Sequence, residues 1–309
     1  MIYTVTLNPA LDKTVEIPSF SVDNVNRIVS LRTDPGGKGI NVSKVVAKLG
    51  STSRAVGILG GATGQSIAQG LEGENMTCDF LPVEGNTRTN LKVIDPILHT
   101  STEINEPGAP VDAETLQTLL DHLIKLIRRD DIVVLAGSLP AGAPADTYRV
   151  WGEACREKGA KVFLDSDGAP LAEGMGVVPY LIKPNNDELS RLMGRELDSI
   201  EELIAAAREL LSRGTAKVFV SMGGRGMLCV TPERTIYAPG LKVPVASTVG
   251  AGDAVVAALA VAEERGLPLE DTMRLAVAAG TANVMCSGTQ AAEYSVMEEL
   301  MPQVTMKEL

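Results

Sequence analysis

The sequence has 309 residues, 45% of them hydrophobic and 22% charged, and its formal net charge is −11. A chain of this size and composition can bury a full core, which excludes extended disorder and leaves one large domain or two small ones. The acidic balance, without a run of Lys and Arg to offset it, argues against nucleic acid as a partner.

The first residues, MIYTVTLNP, lack the basic region and long apolar run of a secretory signal. The longest later apolar run, residues 254–262, is too short to cross a bilayer, so we expect a cytoplasmic protein without membrane contact. The sequence has no CxxC motif, and His99 and His122 are not at metal-ligand spacing. This excludes zinc, disulfides and a His-dependent triad, and it predicts that the thiols of Cys78, Cys155, Cys229 and Cys286 are buried singly.

Short apolar runs alternate with helical patterns along most of the chain. The runs that predict strands are residues 3–7, 55–59, 132–136, 162–164, 180–182 and 218–221. The clearest helix places its apolar residues at 116, 119, 120, 123, 124 and 127, with His122 among the polar positions. This alternation predicts an α/β fold with a mostly parallel sheet covered by helices on both faces.

Two segments break the alternation. Residues 11–33 are polar with a short period, and residues 86–105 alternate as a hairpin would, with Asp95 and Pro96 at its turn. We expect lid strands from about 11–33 and 86–108, covering a site at the carboxyl edge of the sheet. No repeat or linker divides the rest, so the sequence predicts a single domain over residues 1–309.

The first glycine-rich motif, PGGKGINVSKVVAKLG, begins at Pro35. It predicts a helix with an apolar face that ends at Gly50. The glycines permit close approach of a ligand to the backbone, and Lys38 and Asn41 would project from the first turn toward it. A glycine-rich turn with a solvated lysine is the alternative.

Two further motifs follow predicted strands. In LIKPNNDEL, Asn185 and Glu188 have the spacing that places an amide oxygen and a carboxylate on one side of a helical turn, which suits Mg²⁺ held through water. Helix capping explains this pair at least as well. In VSMGGRGM, Ser221 ends a strand before three glycines, which predicts either a wrap around a nucleotide phosphate or a hairpin turn.

The stretch STVGAGDA begins at Ser247 and precedes an apolar helix that we expect from Ala254 onward. Gly250 and Gly252 would let the backbone form an anion cradle at the positive end of that helix. Asp253 would then stand at the N-cap, where a purely structural role is the alternative. The sequence contains no GxxxxGK[ST], and no GxGxxG follows the first strand, which excludes a P-loop and a nicotinamide-dependent oxidoreductase.

The ordered set GGKGIN, KPNxxE, SMGGRG and TVGAGD resembles the ribokinase-like, phosphofructokinase-B family of carbohydrate kinases over nearly the whole chain. The resemblance implies a three-layer α/β/α core with a small β lid, and it implies ATP and Mg²⁺. It makes Asp253 the general base, with Gly250, Ala251 and Gly252 as the anion hole. The residues implied for ATP are Lys183, Asn185, Ser221, Gly223, Gly226, Thr248 and Asn283, and those for Mg²⁺, indirectly, are Asn185 and Glu188. Ser247 departs from the Asp that many relatives carry.

The stretches TLNPALDKTV, TRTNLKV and TEINEPG resemble the branch that phosphorylates fructose 1-phosphate. The resemblance implies transfer to its 6-hydroxyl, which gives fructose 1,6-bisphosphate, and a homodimer formed through the lid. The implied substrate-binding residues are Asp12, Arg27, Gly37, Lys38, Asn41, Arg88, Asn90 and Ser138. Kinases of tagatose 6-phosphate or fructose 6-phosphate remain alternatives, as does a non-catalytic sugar or nucleotide sensor.

Overall fold

A computed structural model describes residues 1–309. Its strands are β1 (Ile2–Thr6), β2 (Ala10–Glu16), β3 (Ser30–Gly36), β4 (Ser53–Gly60), β5 (Met76–Val83), β6 (Arg88–Asp95), β7 (Thr100–Asn105), β8 (Ile132–Ala136), β9 (Lys161–Asp165), β10 (Leu181–Ile182), β11 (Lys217–Ser221), β12 (Met227–Val230), β13 (Thr235–Ala238) and β14 (Lys307–Glu308). Its helices are α1 (Lys38–Lys48), α2 (Gly61–Gly70), α3 (Ala113–Leu126), α4 (Thr147–Glu157), α5 (Gly168–Gly174), α6 (Asn186–Met193), α7 (Ile200–Ser212), α8 (Ala251–Arg265), α9 (Leu269–Val284) and α10 (Tyr294–Leu300).

The main sheet has ten strands in the order β14-β13-β12-β11-β10-β9-β8-β1-β4-β5. The seven strands from β11 to β5 in this order are parallel, and all six predicted strands lie among them. The other three, β12 to β14, are antiparallel. The turn over Gly223–Arg225 after β11 is too short for a crossover helix, so the chain must return antiparallel.

Helices cover both faces of this sheet, because successive residues of each strand point to opposite sides. On one face α1, α8, α9 and α10 form a core with the strands, and on the other face α3, α4 and α7 do so. Helix α8 is buried from Asp253 to Ala262, as expected of a segment that is apolar all round. No helix combines the length and the hydropathy needed to span a membrane.

Helix α3 buries Leu116, Leu119, Leu120 and Leu123 as predicted, and His122 remains on its polar side. The prediction for the cysteines holds only in part. Cys155 and Cys229 are buried and Cys286 is partly buried, whereas Cys78 is exposed. Cys78 lies on β5 at the edge of the main sheet, where no neighbouring strand covers it.

The lid is a second sheet of four strands in the order β3-β2-β6-β7. It is built from the two segments that break the alternation, and β6 and β7 form the predicted hairpin. Asp95 at the end of β6 joins the two segments. Its buried carboxylate accepts hydrogen bonds from the N–H groups of Ser19 and Phe20 in one segment and of Ile97 and Leu98 in the other.

Candidate active site

A cavity of about 840 Å³ lies between the lid and the carboxyl ends of the parallel strands. Its walls include residues of all four motifs, although Asn41 and Asp253, for example, are 212 positions apart in the chain. The carboxyl ends of parallel strands meet at one edge of a sheet, and the loops that follow them therefore converge on one place.

Asp253 lies deep in this cavity, and its position corrects the expected start of the helix. Helix α8 begins at Ala251 with Gly250 as its N-cap, so Asp253 is the third helical residue and not the cap. Gly250 adopts a left-handed conformation, with φ 80°, that a residue with a Cβ rarely adopts. The Asp253 carboxylate makes no capping bond; instead its Oδ2 accepts a hydrogen bond of 2.8 Å from Asn41 Nδ2.

The surroundings of Asp253 raise the pKa of its carboxyl group. Burial raises the pKa of Asp253 to about 6, and Asp165 acts in the same direction. The ammonium groups of Lys38 and Lys183 and the hydrogen bond from Asn41 oppose this rise in pKa. A carboxylate with a pKa near 6 is ionised at neutral pH but is a much better proton acceptor than an exposed Asp.

The start of α8 forms the expected anion cradle. The first N–H groups of a helix have no intrahelical acceptor and carry the positive end of the helix dipole. The Ala251 N–H makes only a long contact of 3.4 Å with the Thr248 carbonyl. The Lys183 ammonium group lies beside this turn, 3.4 Å from where a Cβ on Gly252 would be. The cradle therefore combines backbone donors with a fixed cation.

The glycine-rich turn places Lys38 in the cavity wall, beside Asp165. Gly37 precedes α1 with φ 117°, and a Cβ there would lie 2.7 Å from Thr6 Cγ2, so only glycine fits. Lys38 is the first residue of α1, and its Nζ lies 3.4 Å from Asp165 Oδ2. Burial lowers the pKa of Lys38, but Asp165, Asp253 and Glu188 together raise it above its ordinary value, so the group remains an ammonium ion.

The lid contributes a polar surface from two paired strands. Asp12 on β2 stands opposite Asn90 on β6, and Asn90 Nδ2 donates a hydrogen bond of 3.0 Å to Asp12 Oδ1. Burial raises the pKa of Asp12, while Asn90, Lys44 and Arg88 oppose that rise. These side chains present acceptors and donors of the kind that bind sugar hydroxyl groups.

Arg88 begins β6 and carries a charge that no carboxylate neutralises within 4 Å. Its guanidinium donates to the carbonyl oxygens of Asn8 and Glu106, and Ser138 Oγ lies 3.4 Å away. Its Nε is buried and has no partner. An arginine held in this way by neutral oxygens is available to a phosphate group.

Three predicted binding residues, Arg27, Ser138 and Asn283, do not line the cavity, although Ser138 lies beside Arg88. Arg27 is exposed in the loop between β2 and β3 and does not line the cavity. Asn283, expected to contact ATP, is buried behind the anion cradle, where its Nδ2 donates to the Val249 carbonyl at 3.3 Å. Helix α9 packs directly against α8, so Asn283 supports the loop and does not face the cavity.

Asn185 and Glu188, two residues that the resemblance implies for ATP and Mg²⁺, form a capping box at the start of α6. Asn185 Oδ1 accepts from the Glu188 N–H, and Glu188 Oε2 accepts from the Asn185 N–H, each at 2.8 Å. No group of three or more acidic, His or Cys side chains is placed to hold a metal ion directly. The second carboxylate oxygen of Glu188 remains free at the cavity wall, so the donor set fits a hydrated Mg²⁺ held through water.

The other residues that the resemblance implies for ATP share the cavity with an apolar strip. Ser221 at the end of β11, Gly223 and Gly226 in the following turn, and Thr248 all line the cavity. The strip consists of Leu241, Val243, Val245, Val255, Ala276, Val277 and Val284. Such a surface suits the flat face of a nucleotide base.

Sequence reasoning also missed polar residues of the cavity, namely Asn8 beside Arg88 and, in the lining, Thr14, Lys92 and Asp165. Asp165 ends β9, and its position at the carboxyl end of a predicted strand is the one signal that could have identified it. Lys92 and Thr14 follow Asn90 and Asp12 by two residues on their strands, so strand alternation predicts the same face.

Comparison with known proteins gives matches along the whole chain. The model of the pfkB family of carbohydrate kinases matches residues 5–295. The 1-phosphofructokinase of Bacillus subtilis (strain 168) is 38% identical over 309 residues, which cover 100% of both chains. The 1-phosphofructokinase of Rhodobacter capsulatus is 40% identical over 280 residues, which cover 90% of this chain and 88% of the relative.

A solved structure, phosphofructokinase-2 from Escherichia coli in complex with substrates and products, superposes with a TM-score of 0.94. It is 32% identical in sequence, and the match covers 98% of each chain. The similarity confirms the expected ribokinase-like core with its β lid.

Proposed function

The chain belongs to the pfkB family of carbohydrate kinases, and on this premise we propose that it transfers the γ-phosphoryl group of ATP to the 6-hydroxyl of fructose 1-phosphate. The carrying observation is that one cavity holds a buried carboxylate of raised pKa, an anion cradle beside it and an arginine without a carboxylate partner. The choice of acceptor is supported by the similarity to 1-phosphofructokinases over the full chain. We propose one kinase domain, in which both sheets serve this site.

The acceptor occupies the lid side of the cavity in this proposal. Arg88 binds its phosphate, with Ser138 alongside, and Lys38 adds a positive charge on the Asp253 side of the sugar, with Gly37 next to it. Asp12, Asn90 and Asn41 bind sugar hydroxyls. The sugar then spans the cavity from Arg88 to Asp253, which places the phosphate and the reacting hydroxyl at opposite ends.

Asp253 takes the proton of the attacking hydroxyl as the bond to phosphorus forms. Positioned general bases typically contribute about 10²–10⁴ in rate. The N–H groups of Gly250, Ala251 and Gly252, with the Lys183 ammonium group, stabilise the charge on the equatorial oxygens of the phosphoryl group during in-line transfer. As the bond to the transferred phosphoryl group breaks, ADP leaves with a negative charge, which the same part of the cavity must also accommodate.

The nucleotide lies along the other half of the cavity. Ser221, Gly223, Gly226 and Thr248 approach its phosphates, and the apolar strip holds its base. Mg²⁺, when bound, would neutralise part of the phosphate charge. Asn185 and Glu188 would hold it through water, and Asn283 would act on this half only by supporting the Val249 carbonyl.

The lid excludes water and, we propose, forms a homodimer. Its loop between β2 and β3 exposes Val25, Ile28 and Val29 by 81%, 55% and 64%, which is a large apolar surface for a free lid. A second copy of the lid would cover it and would also bring the partner's exposed loop toward the cavity. Arg27 keeps a role at the phosphate only in that arrangement. A cytoplasmic location rests on the proposed substrates, which are metabolites of the cell interior.

The test is ADP release with Mg-ATP and four acceptors: fructose 1-phosphate, tagatose 6-phosphate, fructose 6-phosphate and fructose. The highest kcat/KM is expected for fructose 1-phosphate. A preference for tagatose 6-phosphate or fructose 6-phosphate would keep the kinase and change its substrate. If the protein binds ATP but phosphorylates none of the acceptors, this result would favour a non-catalytic sensor. The ionisable carboxylate of Asp253 argues against that alternative.

A further inference from the structure

Asp165 is a buried acidic residue of the cavity that the proposed reaction does not use. It ends β9 and is only 3% exposed. Its Oδ2 lies 3.4 Å from Lys38 Nζ, and its Oδ1 lies 3.6 Å from Lys183 Nζ. Neither lysine has another carboxylate within 4 Å. One carboxylate therefore joins two ammonium groups that come from distant parts of the chain.

The two lysines come from different motifs. Lys38 opens α1 in the glycine-rich turn, and Lys183 lies beside the start of α8, where its Nζ is 3.4 Å from the position of a Cβ on Gly252. The charges of Asp165 and Asp253 both act on Lys38. Asp165 therefore holds two cations close to the base and the helix N-terminus that the proposed transfer uses.

The ion pairs are longer than tight charge-assisted hydrogen bonds, which are about 2.7–2.9 Å between nitrogen and oxygen. Asp165 Oδ2 is buried and makes no hydrogen bond within the protein. Each lysine is thus kept near the base without being locked to the carboxylate. An incoming phosphate oxygen can attract the ammonium group without first breaking a short hydrogen bond.

The charge of Asp165 also reaches Asp253. Burial would raise the pKa of Asp165, but Lys183 and Lys38 lower it below its usual value, so this carboxylate stays ionised. Its negative charge adds to the rise in the pKa of Asp253. Lys38 from α1 and Lys183 from the segment after β10 oppose that rise, and Lys44 from α1 also interacts with the charge of Asp253.

We propose that Asp165 is a positioning residue for phosphoryl transfer, which holds Lys38 and Lys183 beside the transferred group and next to Asp253. The proposal rests on the proposed kinase reaction. It differs from a structural role for a buried ion pair, since a structural role would affect folding and not the proton affinity of Asp253.

The experiment compares Asp165→Asn with the native protein and with Asp167→Asn. Asp167 lies two residues further along, is half exposed, caps α5 and pairs with Arg191. Asp167→Asn removes a charge outside the cavity, so it tests whether destabilisation alone changes the measured activity. The pH dependence of kcat/KM is measured for all three proteins with the same acceptor, so that titration of the substrate cancels in the comparison.

We expect Asp165→Asn to lower kcat by about 10–100-fold, because two cations lose their fixed positions. We also expect the acid limb of kcat/KM to move to lower pH by about half a unit or more, because Asp253 loses a neighbouring negative charge. Asp165→Glu, which keeps the charge, should restore the acid limb. Asp167→Asn should leave both kcat and the limb as in the native protein.

A second readout needs no turnover. The pH dependence of the thermal unfolding midpoint of each variant, taken against its Asp253→Asn counterpart, reports the titration of Asp253 alone. If the native protein does not phosphorylate fructose 1-phosphate, the proposed acceptor fails and this readout still tests Asp165. The proposal is overturned if Asp165→Asn leaves the acid limb of kcat/KM, or the titration of Asp253, unchanged. If Asp165→Asn does not fold, the proposal is overturned by an acid limb in Asp165→Glu that differs from the native one.

Discussion

Asn41 Nδ2 donates a 2.8 Å hydrogen bond to Asp253 Oδ2, which joins the first turn of α1 to the first turn of α8 across 212 positions of the sequence. This contact brings the two glycine-rich motifs together at one carboxylate. It also turns that carboxylate away from the backbone of its own helix, where a capping Asp would point. The geometry therefore leaves Asp253 free to exchange a proton with an acceptor.

Asp253→Asn should reduce kcat by about 10²–10⁴-fold, because the amide cannot take the hydroxyl proton. ATP affinity should change little, since the carboxylate faces the acceptor. Steady-state kinetics and calorimetric titration with ATP measure the two effects. Near-normal turnover in a folded Asn variant would mean that Asp253 is not the base.

The same substitution should stabilise the protein. The pKa of Asp253 is about 6 in the folded state and 3.8 for an unperturbed Asp side chain, so its ionisation opposes folding. This cost is absent below pH 3.8, grows between pH 3.8 and 6, and is constant above pH 6. At pH 7, Asp253→Asn should raise the free energy of unfolding by about 1–3 kcal/mol. Urea unfolding at pH 7 and pH 4 checks this, and an equal gain at both values would contradict it.

Activity should fall in acid with the titration of Asp253. The base must be ionised, so kcat/KM should fall to half of its plateau value near pH 6. One pH unit below that midpoint, kcat/KM should be roughly tenfold below the plateau. The ionisation of the sugar phosphate, followed by ³¹P NMR in the same buffers, provides the correction. A corrected profile that is flat down to pH 4.5 would place the pKa of the base at an ordinary value.

Arg88→Ala should raise KM for fructose 1-phosphate by about 10–100-fold, since a charged hydrogen bond is worth about 1.5–3 kcal/mol. The KM for ATP and kcat should change only a few-fold, because Arg88 lies at the far end of the acceptor. Arg88→Lys should recover part of the affinity. An unchanged KM in a variant with native thermal stability would put the acceptor phosphate elsewhere.

Val25→Asp should convert the proposed dimer to a monomer, because it places a charge in the apolar surface of the lid. Val150→Asp is the matched control, since Val150 is an exposed apolar residue on α4, outside the lid. Sedimentation velocity gives the mass of each variant. A monomeric native protein, or a dimer that persists in Val25→Asp, would exclude dimerisation through this surface.

The sequence alone determined the α/β alternation, the lid segments and the four motifs, because these depend on local patterns. Apolar runs of strand length bury themselves in a sheet, and glycines mark turns that other residues cannot form. The antiparallel strands β12 to β14 were less predictable. They follow from a short turn and from pairing between distant segments, such as β13 with β14 near the end of the chain.

Only the tertiary structure decided which motif residues act together. Asn283 and Arg27 are binding residues that the resemblance implies, yet Asn283 lies behind the cradle and Arg27 does not line the cavity. Asp165 belongs to no motif, yet it lies between two motif lysines. The raised pKa of Asp253 likewise arises from burial and from charges on other elements, because electrostatic interaction depends on distance in space and not on distance along the chain.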